Sequence, residues 1–455
     1  MRPFALALAV GLSLAGPAAA QLPPLQLVRP DEDYSALKNP EERVGLEAQL
    51  KYIPLGDGPW LSLGGEARER LDVTHAARFG IGAQDDTSVL QRLLVHADLH
   101  LSDSARVYVE LGQHQAFGKK APNPATDRDR LDVQNAFVDI SPDPGLRIRM
   151  GRQELELNPE QRFVSVREGP SIRQSFDGVR ATWTPAGSGW RIDAIAVRPV
   201  AISIGAFDDS NDRTQDFWGV YVARSFAAAG GRWEFDGYGF ELDRDRGRYG
   251  AIQGDERRAS FGMRLVGRTG PWDLDWEGML QTGKFAGQDI RAWAVGLDTG
   301  YTLGLPWKPR LGLRLDVASG DRNPRDGRLQ TFNPLFPKGA YFNETSLTSW
   351  SNLTAPRASI RVQPRDDLTI EASVTERWRT SVHDAVYLQP AVPLPQTLAN
   401  THRRVGTAFA LDATWKATRN IGVTAELVRQ TAGPAVTAAG GRDSDVAMLI
   451  LQYRF

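Results

Sequence analysis

The sequence predicts an all-β protein, a transmembrane antiparallel up-and-down β-barrel of about 18 strands. Three observations predict it. The chain of 455 residues has a mean hydropathy of −0.36, and no stretch after residue 20 approaches the ~20 continuous apolar residues of a membrane helix. Its C-terminus, SDVAMLILQYRF over 444–455, reads with period 2 and ends in an aromatic residue. The connections between its alternating segments are by turns short and long.

The first observation excludes a helical membrane protein. It leaves a membrane barrel open, because strands that alternate lipid-facing and lumen-facing residues average out polar. The formal net charge of −1 leaves nothing to suggest a nucleic-acid partner. Residues 1–20 read as a cleaved signal peptide. Arg2 supplies the positive start, Phe4 to Leu14 a short apolar run, and Ala18, Ala19 and Ala20 a small-residue cleavage site before Gln21. There is no cysteine, so neither a disulfide scaffold nor an acylated lipoprotein is open to this chain, and barrel closure has to supply the stability.

In the C-terminal segment Ala447, Leu449, Leu451, Tyr453 and Phe455 fall on one face, Gln452 and Arg454 on the other. This is the pattern of a last barrel strand with an interfacial girdle. Similar alternation marks strands at 59–72, 87–101, 105–114, 131–140, 146–154, 174–183, 190–198, 215–226 and 232–242. It continues at 257–268, 272–283, 289–303, 310–319, 350–363, 367–379, 402–417, 420–430 and 444–455. Leu311, Leu313, Leu315 and Val317 alternate with Arg314 and Asp316, and Leu274, Trp276 and Leu280 with Asp273, Asp275 and Glu277. The apolar face is expected to meet lipid and the charges to line the lumen.

Even-numbered connections are short, such as 102–104, 141–145, 269–271 and 364–366. Most odd-numbered ones are long, including 73–86, 115–130, 155–173, 199–214, 320–349 and 380–401, with 284–288 the exception. Short periplasmic turns and long extracellular loops produce this asymmetry in outer-membrane barrels. The domain plan is therefore a signal peptide (1–20), a Pro- and charge-rich periplasmic lead-in (21–58) and the barrel (59–455).

Several stretches carry a family resemblance. KYIPLGDGPWLSLGGEARERL at 51–71, LQRLLVHADLHLSDSARVYVEL at 90–111, GRQELELNPEQRFVSVREGPSIRQSFDGVR at 151–180 and SGDRNPRDGRLQTFNPLFPKGA at 319–340 resemble the alginate export family. Its founding member is an 18-stranded outer-membrane channel for alginate. The resemblance implies a cell outer-membrane location and a passive channel. It also implies that the segment 153–173, interrupted by Pro159, Gly169 and Pro170, folds partly into the lumen to form the constriction; an ordinary external loop is the alternative. At 406–412 (GTAFALD) Ala408 stands where the family commonly has Glu.

Arginine is the main chemical signal. Of 54 basic residues eight are lysine and 46 arginine, an excess that a GC-rich genome alone can produce. The local cluster is more specific: Arg147, Arg149, Arg152, Arg162, Arg167, Arg173 and Arg180, interspersed with Glu154, Glu156, Glu160, Glu168 and Asp177. Guanidinium stays charged and holds carboxylates bidentately, so a ring of them in a lumen selects anions. The alternative is a ladder of Arg–carboxylate pairs that stiffens the wall; both are expected, for different residues. The candidate lumen residues are Arg68, Arg152, Arg162, Arg167, Arg173, Asp177 and Arg180.

The remaining motifs are weak. His96 and His100 share a strand face but lie ~13 Å apart along it, too far for one metal. Asp321, Asn323 and Asp326 have oxygens at calcium-loop spacing, but two arginines and a proline in that run favour a polar turn. No nucleotide motif of the GxxxxGK[ST] type is present, and no cofactor and no enzymatic activity is expected. The reading is a passive outer-membrane channel for anionic solutes, with uronate polysaccharide export as the specific form and periplasmic export partners implied. A specific porin for small carboxylates or other small solutes is the alternative, and a barrel hydrolase a third.

Overall fold

A computed structural model describes residues 22–82, 85–120, 125–158 and 162–455. The signal segment, Pro159 and Glu160 lie outside the described residues. Alternation of apolar and polar side chains produces eighteen long antiparallel strands closed into a barrel. They are β1 (Trp60–His75), β2 (Asp86–Ser102), β3 (Ala105–Phe117), β4 (Asp129–Asp143), β5 (Leu146–Glu154) and β6 (Ser175–Trp183). Next come β7 (Trp190–Ala201), β8 (Gln215–Ala228), β9 (Gly231–Tyr249), β10 (Ile252–Thr269), β11 (Trp272–Phe285) and β12 (Gln288–Thr302). The last are β13 (Arg310–Ala318), β14 (Leu353–Arg365), β15 (Leu368–Trp378), β16 (Arg404–Trp415), β17 (Ile421–Ala432) and β18 (Ser444–Arg454). Each pairs with its sequence neighbour. The ring closes where β1 meets β18 in a register running from Glu66↔Arg454 to His75↔Asp445. Closure leaves no sheet edge, which a barrel in lipid requires.

The outer face is apolar as the alternation requires. Leu313, Leu280 and Met263 are more than 60% exposed on it, and Leu449, Leu451 and Tyr453 also point outward while Met448 and Ile450 are buried inside. Trp183, Trp272, Trp415 and Tyr453 are exposed near the turn-side ends of their strands, and Trp307 in the turn 303–309, where amphipathic rings suit a membrane interface.

One hairpin departs from expectation. The region 243–256 was expected to be a long loop; instead β9 and β10 continue through it and turn at 250–251. Polar cross-strand bonds extend the pair: Arg244 Nε donates to Glu256 Oε2 at 2.5 Å and Tyr249 Oη to Glu256 Oε1 at 2.8 Å. A bulge between Arg244 and Gly247 absorbs the irregularity.

The inner face is not uniformly charged either. On β8 and β9 it presents Phe217, Tyr221, Tyr238 and Phe240, and these join Phe163, Phe332, Leu335 and Trp350 from the two long connections 155–174 and 319–352 in one buried apolar cluster. The connections are stitched together by Phe336 N→Phe163 O at 3.0 Å and Ser165 N→Phe336 O at 3.1 Å. An apolar inner wall is stable here because the inturned loops, rather than water, cover it.

Residues 22–58 form three 3₁₀ turns, the short helix Leu46–Lys51 and a two-residue strand Ile53–Pro54 paired to β1. They dock at the turn-side end of the barrel. Arg29 donates to Gly65 O at 3.1 Å and Phe455 O at 2.7 Å, and Lys51 Nζ to Leu63 O at 2.9 Å. Lys51 lies fully buried, with its ammonium 5.2 Å from the Tyr34 ring centroid. Burial is the main cause that lowers its pKa to about 8.

Candidate functional site in the lumen

On β1 the inward positions are Glu66, Arg68, Arg70 and Asp72, and on β2 they include Arg92, His96 and Asp98. Register places Arg68 opposite Arg92 on one side and Gln452 on the other. The connection 155–174 leans against this wall and brings Glu168 and Arg173 to it. Arg92 Nε donates to Glu66 Oε1 at 2.7 Å, and its other nitrogens reach Glu168 and Ser171 O. Arg173 bridges Glu168 Oε2 at 2.5 Å and Glu66 Oε2 at 3.2 Å, with Glu154 at 3.9 Å. Burial alone would raise the Glu168 carboxyl; Arg173 and Arg92 outweigh it and hold that pKa well below the usual carboxylate range.

Arg70 ties the two inturned connections together. Its Nη1 donates to Gly169 O and to Glu344 Oε2, both at 2.7 Å, while its Nε sits on Asp72 at 2.9 Å. Gly169 and Gly339 meet at this point. A Cβ on Gly339 would come within 2.9 Å of the Gly169 amide, so a side chain at 339 would force the two segments apart. A cavity of about 470 Å³ opens on the loop side of the junction, lined by Arg70, Asp72, Lys119, Asp127, Gly169 and Glu344 among others. A second, of about 900 Å³, opens on the turn side, with Arg232, Glu234, Arg268, Asp273 and Arg310 in its lining.

The sequence candidates divide into two groups. Arg152 is held by Asp177 at 2.9 Å and lies 3.6 Å from Asp132. Arg162 binds Asp275 at 2.8 Å, Glu277 at 3.2 Å and the Tyr341 hydroxyl at 2.9 Å. Arg180 pairs with Asp193 at 2.8 Å. With Arg173, these form a ladder of wall-bracing pairs, and Asp177 belongs to it as Arg152's acceptor. Arg68 and Arg167 do not. Arg68 is 2% exposed, its Nη1 is buried without a partner, and no ion pair reaches it among the described residues. Among the described residues Arg167 has one hydrogen bond, to Gln174 Oε1 at 3.3 Å, with Nε and Nη2 unpartnered. Burial pulls its pKa down to about 10, against the opposing charge of Asp127, and leaves it cationic at neutral pH.

Three arginines outside the sequence candidates belong in the same description. Arg70 and Arg92 are neighbours of Arg68 on the wall; the period-2 run Glu66, Arg68, Arg70 was the signal for Arg70. Arg377, 1% exposed, donates to Thr348 Oγ1 at 3.0 Å and keeps Nε and Nη2 unpartnered. In the run at 321–326 Asp321 Oδ1 and Asn323 Oδ1 accept from backbone amides two residues on, as Asp326 Oδ1 does from Arg328 N. These oxygens cap their own turns. His100 stacks on Trp60 with ring centroids 3.7 Å apart, and His96 Nδ1 lies 3.5 Å from Glu110 Oε2.

A closed barrel with an apolar outside, short turns at one end, long inturned loops from the other and charged groups on the inner wall is an outer-membrane channel of the porin class. The family model described as alginate export matches residues 59–449. The chain belongs to that family. Solved porins of Pseudomonas aeruginosa share its fold at low identity. OccD3 (OpdP) has a TM-score of 0.60 and 11% identity, covering 90% of this chain and 93% of that one. OccK2 (OpdF) in complex with glucuronate has a TM-score of 0.54 and 12% identity, covering 87% and 98%. OpdK with vanillate has a TM-score of 0.55 and 10% identity, covering 86% and 98%. No curated protein sequence matches the chain.

Proposed function

We propose that the protein is a passive, anion-selective outer-membrane channel whose solutes carry carboxylates, with uronate polymers as the specific cargo. The observation that carries this reading is the division among the lumen arginines. Among the described residues most of the sequence candidates are neutralised by carboxylates, whereas Arg68 and Arg167 are not, and Arg377 likewise has no ion pair. Their excess positive charge lies in a wall of low dielectric, which focuses the field on the passage and raises the local anion concentration. Membership of the alginate export family supports the uronate class, as does glucuronate in the OccK2 complex. No nucleotide-binding motif is present in the sequence, so flux is expected to follow a gradient or a periplasmic supply.

A second reading, a porin for small carboxylates, is favoured by the meeting of the two inturned connections at Gly169 and Gly339, which narrows the passage. One experiment separates the two. The purified barrel in a planar bilayer is expected to prefer chloride to potassium, and uronate oligomers to block the chloride current more strongly than monomeric glucuronate. Block by the monomer alone favours the small-carboxylate porin. A cation-selective channel, or one indifferent to both ligands, refutes both readings.

A further inference from the structure

The loop-side end of β4 carries an acidic cluster apart from the constriction at Gly169 and Gly339. Asp129 and Asp132 stand on β4 and Asp209 on the connection 202–214. Each offers a carboxylate oxygen within 4.8 Å of those of the other two. The connection is laid along the strand: Phe207 N donates to Leu131 O at 3.0 Å, and the amides of Asp208 and Asp209 both donate to Asp132 Oδ2, at 2.8 and 3.0 Å. Asp209 Oδ1 accepts from Ser203 N at 2.6 Å.

These bonds leave one group unanswered. Asp129 is 3% exposed, and its Oδ1 is buried with no hydrogen-bond partner among the described residues. A buried carboxylate oxygen without a donor is costly and points to something that completes it. The neighbouring guanidinium of Arg152 is engaged elsewhere, and of Asp209 its Nη2 reaches only the backbone oxygen, at 3.4 Å. Arg152 has Nε and Nη2 on Asp177 at 2.9 and 3.3 Å, and only its Nη1 approaches Asp132, at 3.6 Å. Asp208 adds a fourth acid beside the three.

We propose that Asp129, Asp132 and Asp209 bind a divalent cation, Ca²⁺, which pins the connection 202–214 to the barrel wall. The donor set is oxygen only, without the imidazole or thiolate that selects a transition metal. Two ligands on opposite sides of a Ca²⁺ ion lie about 4.8 Å apart, twice a Ca–O distance of about 2.4 Å, so oxygens of this spread fit one shared ion. Water completes the six to eight ligands that Ca²⁺ takes.

The test uses the full-length folded barrel in detergent and CaCl₂ alone. Arg213 is exposed on the same connection and offers a trypsin site. An ion that binds only the docked connection suppresses its opening by the factor 1 + [Ca²⁺]/Kd. With Kd in the range of about 10⁻⁴–10⁻³ M usual for extracellular sites, about 5 mM Ca²⁺ slows cleavage at Arg213 roughly five-fold or more. Asp129→Asn and Asp209→Asn, checked for folding by the gel shift on heating, are expected to lose this protection, and Asp326→Asn to keep it. The proposal fails if Ca²⁺ does not slow cleavage in the wild type, if Asp209→Asn is protected equally, or if Asp326→Asn loses the effect. Should the first two variants not fold, the wild-type calcium titration and Asp326→Asn decide.

Discussion

Replacing Arg68 by Met separates a wall-bracing role from a role in selectivity, because the two readings predict opposite signs. Arg68 is buried among Arg92, Arg70 and Gln452 with no ion pair among the described residues. A buried charge without a partner costs several kcal/mol, and methionine keeps an unbranched apolar side chain in its place. Arg68→Met is therefore expected to stabilise the barrel by about 1–4 kcal/mol, the range seen when buried charges give way to packed apolar groups. The same substitution removes one unit charge from the lumen wall. At about 5 Å from a passing ion, and at an effective dielectric constant between about 20 and 80, that charge is worth ~1–3 kcal/mol. The lower end alone changes the barrier for chloride by roughly five-fold and that for potassium by as much in the opposite sense, so the permeability ratio moves by more than about ten-fold. Urea unfolding in vesicles, followed by tryptophan fluorescence, reads the first quantity. The reversal potential in a KCl gradient reads the second. A destabilised Arg68→Met barrel with unchanged selectivity would show that Arg68 braces the wall, and would refute the reasoning. Gln452→Glu, which sets a carboxylate beside Arg68 in register, is expected to lower anion preference while leaving the arginine in place.

Arg173→Ala removes the bridge between Glu66, Glu168 and Glu154; Arg92 still reaches Glu66 and Glu168, but Glu154 loses its ion pair, so a loss of up to about 3–5 kcal/mol is expected in the same unfolding assay, and a neutral effect would refute the ladder. Leu449→Arg places a charge on the lipid face and is expected to cost ~2–4 kcal/mol near the bilayer midplane, seen as reduced recovery of the heat-shiftable form. Lys51 has a docked pKa near 8 against the ordinary value near 10.4 when undocked. The docked lead-in then binds fewer protons between those values, so docking tightens as pH rises from about 8 to 10. Tryptic cleavage after Lys38 or Arg43, corrected for trypsin's own pH profile, should slow over that window, and Lys51→Met should abolish the dependence.

Strand number and order were legible in the sequence because lipid imposes period-2 alternation on the outer face of every spanning segment, as in Leu449, Leu451 and Tyr453. The C-terminal strand lies where the alternation places it. The pattern fails where no lipid imposes it. The β9–β10 hairpin runs on through 243–256 on polar pairs such as Arg244–Glu256, and a polar stretch reads as a loop. On β8 both faces are apolar: Phe217 and Tyr221 point in, Val220 and Val222 point out. Alternation then carries no contrast, and only contact with the inturned loops explains the inner set.

By itself, the sequence determined that this chain closes as a barrel and which face of most strands meets lipid, because these follow from local periodicity. It also determined that arginine is concentrated around 147–180. Only the tertiary structure decided which of those arginines are neutralised. Arg162 finds Asp275 and Glu277, and Arg173 finds Glu66, each more than a hundred residues away in sequence, while Arg68 finds no carboxylate among the described residues. Pairing is set by how the inturned connections cross the barrel, a long-range property that no local spacing encodes.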